Sequence, residues 1–148
     1  IGCLDTSKTT KRMVSGDWDG GICVWDLQQN QDATTQAATK KLKSSVDGST
    51  TTATSTAVAI KPQIVYASAH ASQISGVHWS STSNDMVVTG SWDHSVKVLN
   101  VEKQECALSL NGSRVVSCID LSPHSEVVAT GHPDCTVRLW DIRVNSGS

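Results

Sequence analysis

The sequence predicts an all-β fold that is assembled from repeated four-stranded sheets. The chain contains no Phe and only one Tyr, so Val, Ile, Leu and five Trp must fill the core. β-branched residues pack well on a pleated sheet. Short stretches also alternate apolar and polar residues between turn-forming clusters, which is typical of half-buried strands. A pattern that recurs three times along the 148 residues indicates how these strands are grouped.

The repeat is visible in residues 14–27, 88–101 and 129–142. In each copy an Asp is followed six residues later by Trp or Leu and then by Asp or Asn, and a Ser or Thr stands four residues before the first Asp. The second and third copies lie about 41 residues apart, which is the period of one four-stranded blade of a β-propeller. We therefore expect about three consecutive four-stranded antiparallel blades of a larger propeller, with about seven blades in all.

In this interpretation residues 1–148 are one domain, a partial propeller. Blade one covers residues 1–67, blade two covers 70–110 and blade three covers 112–148. The alternation of apolar residues in blade two predicts strands at about 75–79, 86–90, 96–101 and 106–110. The outer strand of blade one is predicted at 63–67, whereas blade three lacks its outer strand, which would begin near residue 144.

Residues 28–60 interrupt the repeat inside blade one. They are rich in Thr, Ser, Ala and Gln and contain no aromatic residue. Such a segment buries too little apolar surface to offset the entropy of ordering, so we predict a disordered insertion. Lys40, Lys41 and Lys43 form a short basic cluster within it. The cluster fits a nuclear-import signal or a ribosomal-RNA contact, but a solvated loop is the interpretation that we favour.

The recurring polar residues are predicted to form a buried hydrogen-bond network in each blade. The turn Asp accepts hydrogen bonds from a His before the inner strand, the His contacts a Ser or Thr of the second strand, and this hydroxyl accepts the indole N–H of a Trp in the third strand. Each buried donor then has a partner. The residues predicted for this structural role are Ser15, Asp19, Trp25, His70, Thr89, Asp93, Thr130, Asp134 and Trp140.

No copy of the repeat carries the complete network. Leu99 replaces the Trp of the second copy. In the third copy, Asn111 and Gly112 stand where a Gly-His pair is expected, and the first copy begins after the position of its His. We expect the incomplete blades to be less rigid than a complete blade would be.

The sequence predicts no enzyme. It lacks the motifs G-x-S-x-G, G-K-[ST] and H-E-x-x-H. The four histidines other than His70 do not have metal-ligand spacing. Asp17 and Asp19 lie close together, but they fit the repeat better than a catalytic carboxylate pair. We therefore expect no catalytic residue, no metal, no cofactor and no small-molecule substrate.

Composition narrows the class of partner. The five cysteines contain no C-x-x-C pair, so buried reduced thiols are expected rather than disulfides or zinc ligands. The net charge of −2 gives no electrostatic reason for a nucleic-acid-binding face, so direct contact with nucleic acid is expected to be weak or absent. No apolar run has the length of a membrane span, so no membrane contact is expected.

Trp18 and Trp92 are candidates for partner binding. Each immediately precedes the turn Asp of its blade, where an indole is expected to contact either the neighbouring blade or another protein. Trp is enriched at interface hot spots because it offers a large apolar area and one polar group. Arg114, which begins the next inner strand, is a further candidate because it would add a charge to the same rim.

These residues carry a resemblance to a known family. The triple repeat resembles WD-repeat proteins. Residues 77–80 (VHWS), 90–98 (GSWDHSVKV) and 136–143 (TVRLWDIR) resemble, more narrowly, the WD-repeat subunit of the PeBoW ribosome-biogenesis complex, the Ytm-like group. The insertion with its Lys cluster also stands where that group carries one. The likeness covers about residues 1–143.

The resemblance implies a non-catalytic scaffold for maturation of the large (60S) ribosomal subunit and for rRNA processing. Its implied partners are the Bop-type and Pescadillo-type proteins of the PeBoW complex and the pre-60S particle. Its implied location is the nucleus, chiefly the nucleolus, with the nucleoplasm as a further compartment. Leu99 and Asn100 depart from the Trp-Asp of the family pattern, which bears on the rigidity of that blade and not on the fold.

A second function stays open at this point. Residues 140–143 (WDIR) resemble the W-D-x-R signature of substrate receptors of cullin-type ubiquitin ligases, in which Arg143 would contact the ligase adaptor. The signature is short and recurs in many propellers, so we favour the ribosome-assembly scaffold. A propeller enzyme with a site in the central channel would need inward-facing titratable groups, and the sequence indicates no convergent set.

Overall fold

The computed structural model describes residues 1–28 and 60–143, and the regular structure in these ranges consists of eleven β-strands. The strands form three antiparallel sheets, so the predicted all-β fold class is confirmed. The predicted insertion lies outside the described residues except for its first and last positions, as does the predicted start of a further strand near residue 144. The described part of the chain contains no helix that is long and apolar enough to cross a membrane.

The first two sheets each have four strands that pair in chain order. The first contains β1 (Cys3–Thr6), β2 (Arg12–Gly16), β3 (Ile22–Asp26) and β4 (Ile64–Tyr66). The second contains β5 (Ile74–Trp79), β6 (Met86–Ser91), β7 (Ser95–Asn100) and β8 (Glu105–Asn111). Each strand end of the second sheet lies at the predicted residue or one residue from it, because the polar clusters between the apolar runs mark the turns.

The third sheet has three strands among the described residues, β9 (Cys118–Leu121), β10 (Val127–Gly131) and β11 (Val137–Asp141). The central strand β10 pairs with both others, and Thr130 lies opposite Ile119 on one side and Arg138 on the other. Thr89 holds the corresponding position in the second sheet, opposite Val77 and Lys97. The two sheets therefore place their repeat residues in the same register.

Neighbouring sheets pack face to face through their inner strands. Strand β5 contacts β1 and β2, and β9 contacts β5 and β6. The first hydrophobic cluster joins residues of the first sheet, such as Val14 and Ile22, to Val77 and Trp79 of the second. The second cluster joins Val88 and other residues of the second sheet to apolar residues of the third. The second sheet thus buries one face against the first sheet and the other against the third.

Glycines in the strands allow this close packing. A Cβ atom on Gly76 of β5 would lie 2.4 Å from Cγ2 of Ile119, and a Cβ atom on Gly16 of β2 would lie 2.7 Å from Cγ2 of Ile74. Both distances are shorter than carbon atoms tolerate. The absence of a side chain at these two positions lets an isoleucine of the following sheet reach the strand backbone.

The two outer faces of this array carry apolar side chains that have no cover among the described residues. Leu139 of β11 is 72% exposed, whereas Val24 and Val98, at the corresponding positions of the other sheets, are 1% and 2% exposed. Leu4 of β1 is 60% exposed, whereas the corresponding Val77 is 2% exposed. Both faces therefore have the composition of a buried sheet–sheet interface.

Candidate interaction surface

The turns between the second and third strands of all three sheets lie at one edge of the array, which we call the rim. It consists of residues 17–21, 91–95 and 132–136, together with the segments 67–73 and 112–117 that lead into the next inner strand. Adjacent turns are linked by backbone hydrogen bonds: the Ile74 amide donates to the Asp17 carbonyl at 3.0 Å, and the Val116 amide donates to the Ser91 carbonyl at 3.2 Å. The rim is thus a continuous surface across the sheets.

The second sheet supports its rim turn with a buried network around His70. Nδ1 of His70 lies 2.9 Å from Oδ2 of Asp93, and Nε2 lies 2.8 Å from the Thr89 hydroxyl. Asp93 also accepts hydrogen bonds from the Ala71 amide at 3.0 Å and from the Ser95 hydroxyl at 2.6 Å. The network ends at Thr89. The buried Leu99 stands where the other copies of the repeat have Trp, and its side chain has no N–H to donate.

These contacts set the charge states of the pair. Burial lowers the pKa of His70, and the nearby Lys97 acts in the same direction, although the hydrogen bond and charge of Asp93 oppose them. For Asp93, burial raises the pKa, but the hydrogen bonds from Ser95, the Ala71 amide and His70 outweigh it and hold the pKa well below its usual range. A neutral His70 that donates from Nδ1 to an ionised Asp93 satisfies both groups.

The third sheet obtains its histidine from an unexpected position. Sequence analysis assigned no role to His132, yet its Nε2 lies 2.9 Å from the Thr130 hydroxyl, and its Nδ1 lies 2.8 Å from the Val115 carbonyl oxygen. The indole of Trp140 donates to the same hydroxyl at 2.8 Å. His132 therefore fills the site that Gly112 leaves vacant. The signal that would have revealed it is a His two residues after the repeat Thr.

The turn Asp of the third sheet, Asp134, has a different set of contacts. Its blade's histidine, His132, bonds to the Val115 carbonyl and not to this carboxylate. Asp134 accepts hydrogen bonds from the Thr136 hydroxyl at 2.6 Å and the Thr136 amide at 3.2 Å, and Arg114 lies 3.7 Å from its Oδ2. The Thr136 hydroxyl is the main cause of the lowered pKa of this carboxyl. Asp134 thus stabilises its own turn and does not belong to the buried network.

In the first sheet Asp19 makes none of the contacts predicted for the turn Asp within the described residues. Its carboxylate is exposed and has no hydrogen-bond partner among residues 1–28 and 60–143. Asp17 holds the turn instead, because its Oδ1 accepts the amides of Asp19 at 3.0 Å and Gly21 at 2.7 Å. Nearer the core, the indole of Trp25 donates to the Ser15 hydroxyl at 3.0 Å.

Trp18 and Trp92 project from adjacent turns of the rim. Trp18 is 69% exposed and Trp92 is 49% exposed, the largest exposures among the tryptophans in the described residues. The Trp18 ring lies over the backbone of Gly2 in its own sheet, where a Cβ atom would lie 2.9 Å from the indole nitrogen. Within residues 1–28 and 60–143, no neighbouring sheet covers the Trp18 ring.

The two candidate arginines lie at opposite edges. Arg114 is on the rim, near Asp134. Arg143 follows β11, which runs away from the rim, so it does not join Trp18 and Trp92. Arg143 forms a bidentate pair with Asp141 through Nε and Nη2, and its hydrogen bonds lower the pKa of Asp141 to about 2.

The expectation that the cysteines are buried is wrong for three of the five. Cys106, Cys118 and Cys135 are exposed, whereas Cys3 and Cys23 are partly buried; none of them forms a disulfide. Cys106 lies in the last strand of its sheet and Cys118 on the open third sheet, while Cys135 occupies a rim turn. Apolar neighbours in a strand do not bury a thiol when no further sheet covers it.

Comparison with known sequences agrees with this architecture. The family described as WD domain, G-beta repeat, matches residues 1–26, 61–100 and 104–141, which together are more than half of the chain. The chain belongs to the WD-repeat family. Each matched range ends with the third strand of one sheet, and the rim turns are the turns that precede this last strand.

Similar WD-repeat proteins are named for ribosome biogenesis. The chain is 26% identical to the ribosome biogenesis protein WDR12 homolog of Anopheles gambiae over 148 residues, 28% identical to that of Ixodes scapularis over 155 and 30% identical to that of Chlamydomonas reinhardtii over 152. Each alignment covers the whole of this chain. The chain spans about a third of the length of these relatives, 32%, 34% and 32% in the same order.

Proposed function

We propose that this chain forms consecutive blades of a non-catalytic scaffold that acts in maturation of the large ribosomal subunit. The support is the alignment of its full length with proteins named for ribosome biogenesis from an insect, a tick and an alga. The names of these relatives refer to ribosome biogenesis and not to ubiquitin ligation, and Arg143 is already paired with Asp141. No observation therefore favours the adaptor-binding alternative.

The rim is the surface through which the scaffold binds a protein partner. Its central feature is the pair of exposed indoles on adjacent blades, Trp18 and Trp92. The turn of Trp92 is held by the His70–Asp93 contact, and that of Trp18 by the bonds to Asp17. A preorganised aromatic side chain loses little conformational entropy on binding, which is why such residues dominate interface energetics.

The charges on the rim favour a protein over a nucleic acid. The rim carries cations, namely Arg114, Arg138 beside Ser113 and Lys97 on the Ala69 carbonyl, together with the carboxylates of Asp17, Asp19, Asp93 and Asp134. A surface of mixed charge has no basic stripe for phosphates and would suit a partner that brings an apolar side chain with charged groups of both signs beside it. By the family resemblance, the partner is a Bop-type protein, together with a Pescadillo-type protein and the pre-60S particle, and the location is the nucleolus.

The experiment compares the full-length protein with a Trp18→Ala/Trp92→Ala variant in a pull-down from nucleolar extract. We expect the unmodified protein to recover a Bop-type protein and large-subunit precursors, and the variant to recover at least about tenfold less, because hot-spot tryptophans contribute about 2 kcal/mol or more each. Val65→Ala, which truncates another exposed apolar residue away from the rim, is the matched control.

Thermal unfolding of all three proteins shows that the variants are folded. Equal recovery by the rim variant and the Val65→Ala control would refute the rim as the binding surface. Recovery of no ribosomal precursor by the unmodified protein would refute the scaffold function itself.

A further inference from the structure

A cavity of about 340 Å³ lies where the three inner strands end, at the edge opposite the rim. All three blades contribute to its wall, and the register places Asp5, His78 and Asp120 at corresponding positions of β1, β5 and β9. Hydroxyl groups of Ser80 and Ser122 also line it. The inner strands therefore bring two carboxylates and an imidazole to one cavity, which sequence analysis did not foresee.

His78 lies beside the Asp5 carboxylate in this cavity, and only one of its two ring nitrogens has a hydrogen-bond partner among the described residues. Nε2 of His78 lies 3.0 Å from the carbonyl oxygen of Ile119, which only accepts hydrogen bonds, so this nitrogen carries a hydrogen. Nδ1 lies 3.8 Å from Oδ2 of Asp5, beyond hydrogen-bond distance, and has no hydrogen-bond partner within the described residues.

The carboxylates themselves are held in place by backbone amides. Asp5 accepts hydrogen bonds from the Thr6 amide at 2.8 Å and from the Trp79 amide of the next blade at 2.9 Å. Asp120 accepts from the Leu121 amide at 2.9 Å, in the same local arrangement as Asp5 and Thr6. A carboxylate has about four lone-pair sites, so both groups keep acceptors for a ligand.

The charge of the wall is negative. Asp5 and Asp120 face a single lysine, Lys8, among the residues that surround the cavity. Two ionised carboxylates, an unsatisfied imidazole nitrogen and several hydroxyls call for a cation that carries more than one hydrogen-bond donor. Within residues 1–28 and 60–143, no group of three His, Cys, Asp or Glu has the geometry of a metal site, so an organic cation fits better than a metal ion.

We propose that this cavity binds the guanidinium group of an arginine side chain from a partner protein. A guanidinium offers five N–H donors in a rigid fork and stays charged at physiological pH, so it can donate to Nδ1 of His78 and to the carboxylates together. The site lies on the opposite edge from Trp18 and Trp92, and the inference does not rest on the function proposed for the rim.

The test is a titration of the full-length protein with N-acetyl-L-arginine amide, followed by NMR of the histidine side chains. The imidazole signals of His78 are assigned from their loss in a His78→Gln variant. We expect a saturable shift of these signals with the arginine compound and none with N-acetyl-L-citrulline amide, which has a similar shape but no charge. Identical behaviour of the two compounds, or no shift with either, would overturn the proposal.

Two charge variants locate the site. Asp120→Asn should weaken binding of the arginine compound about fivefold, the effect of removing one favourable exposed ion pair. Asp19→Asn removes the same charge from an exposed, unpartnered position on the rim and should leave binding unchanged. Equal weakening by both variants would show non-specific attraction and reject the site. Equal binding of N-acetyl-L-lysine amide would reject the assignment to a guanidinium.

Discussion

Nε2 of His132 lies 2.9 Å from the hydroxyl of Thr130, only two residues earlier in the chain. In the second blade the corresponding hydroxyl, that of Thr89, contacts His70, which comes 19 residues before it and precedes the inner strand. Two blades of one chain thus place an imidazole on the same hydroxyl from different chain positions. The chemical requirement is a buried acceptor for the Thr hydroxyl, and either position meets it.

The first prediction concerns this substitute histidine. His132→Ala should lower the free energy of unfolding by about 1–3 kcal/mol, because it leaves the partly buried Val115 carbonyl without its imidazole partner and removes the acceptor of the buried Thr130 hydroxyl. Denaturant unfolding monitored by tryptophan fluorescence measures the loss. His124→Ala, an exposed position, should stay within about 0.5 kcal/mol of the unmodified protein. Equal stability of the two variants would mean that His132 is not part of a network.

This case shows where prediction from the sequence succeeded and failed. The strand positions of the second blade follow from alternating apolar residues and polar turns, which act locally. The role of His132 depends on a turn that folds its side chain back onto β10. The role of Asp17 depends on a turn that brings the amides of Asp19 and Gly21 to its carboxylate. Neither is encoded in a residue spacing, because both follow from which partner is within reach in three dimensions.

The cavity at the ends of the three inner strands could not be predicted from the sequence for a related reason. Asp5, His78 and Asp120 are far apart in the chain and differ in type, so no motif connects them. The alignment of the three inner strands contains the signal, since these residues occupy the same column. Only the side-by-side packing of β1, β5 and β9 turns that column into a cavity wall.

The second prediction is a pH dependence that arises from His70. Its folded-state pKa is lowered, so the unfolded chain binds a proton at higher pH than the folded protein does. The free energy of unfolding should therefore fall as the pH drops below about 6.5, by at most about 1.4 kcal/mol per pH unit for one group. Asp93 adds a second loss below its usual pKa of about 4, since its folded-state pKa is lowered too.

A His70→Gln variant isolates this effect. Between pH 7 and pH 5 its stability should change less with pH than that of the unmodified protein, as measured by urea unfolding. NMR titration of the His70 side chain in the unmodified protein gives an independent check, with an expected pKa below about 6.5. A pKa above that value would contradict the prediction and would mean that Asp93 outweighs burial.

The third prediction concerns the rim turns, in which the residue after the turn Asp has a left-handed backbone. The φ angles are 82° at Gly20, 74° at His94 and 61° at Cys135. A side chain disfavours this conformation by about 1–2 kcal/mol, so His94→Gly should stabilise the protein by up to about 1 kcal/mol. Gly20→Ala should destabilise it more strongly, because the new Cβ would lie 2.2 Å from the His70 carbonyl oxygen. Thermal unfolding should show a higher melting temperature for His94→Gly and a lower one for Gly20→Ala. A destabilised His94→Gly variant would mean that the His94 side chain contributes to the stability of the fold.

The last prediction concerns the open faces of the described blades. Val137 and Leu139 on one face, and Ile1 and Leu4 on the other, are exposed although their counterparts in the interior of the array are buried. The first pair belongs to the face that receives an inner strand, and the second lies on or just before the inner strand β1. One copy of residues 1–148 therefore offers the next copy a complementary surface for head-to-tail contact. Light scattering should therefore show concentration-dependent oligomers of this chain. A Val137→Lys/Leu139→Glu variant should shift the average molar mass towards that of the monomer, because charged side chains in the contact would lose their hydration. The control Val65→Lys, on the outer strand of the first blade, should leave the average molar mass unchanged. A monodisperse monomer of the unmodified chain would show that these faces do not associate.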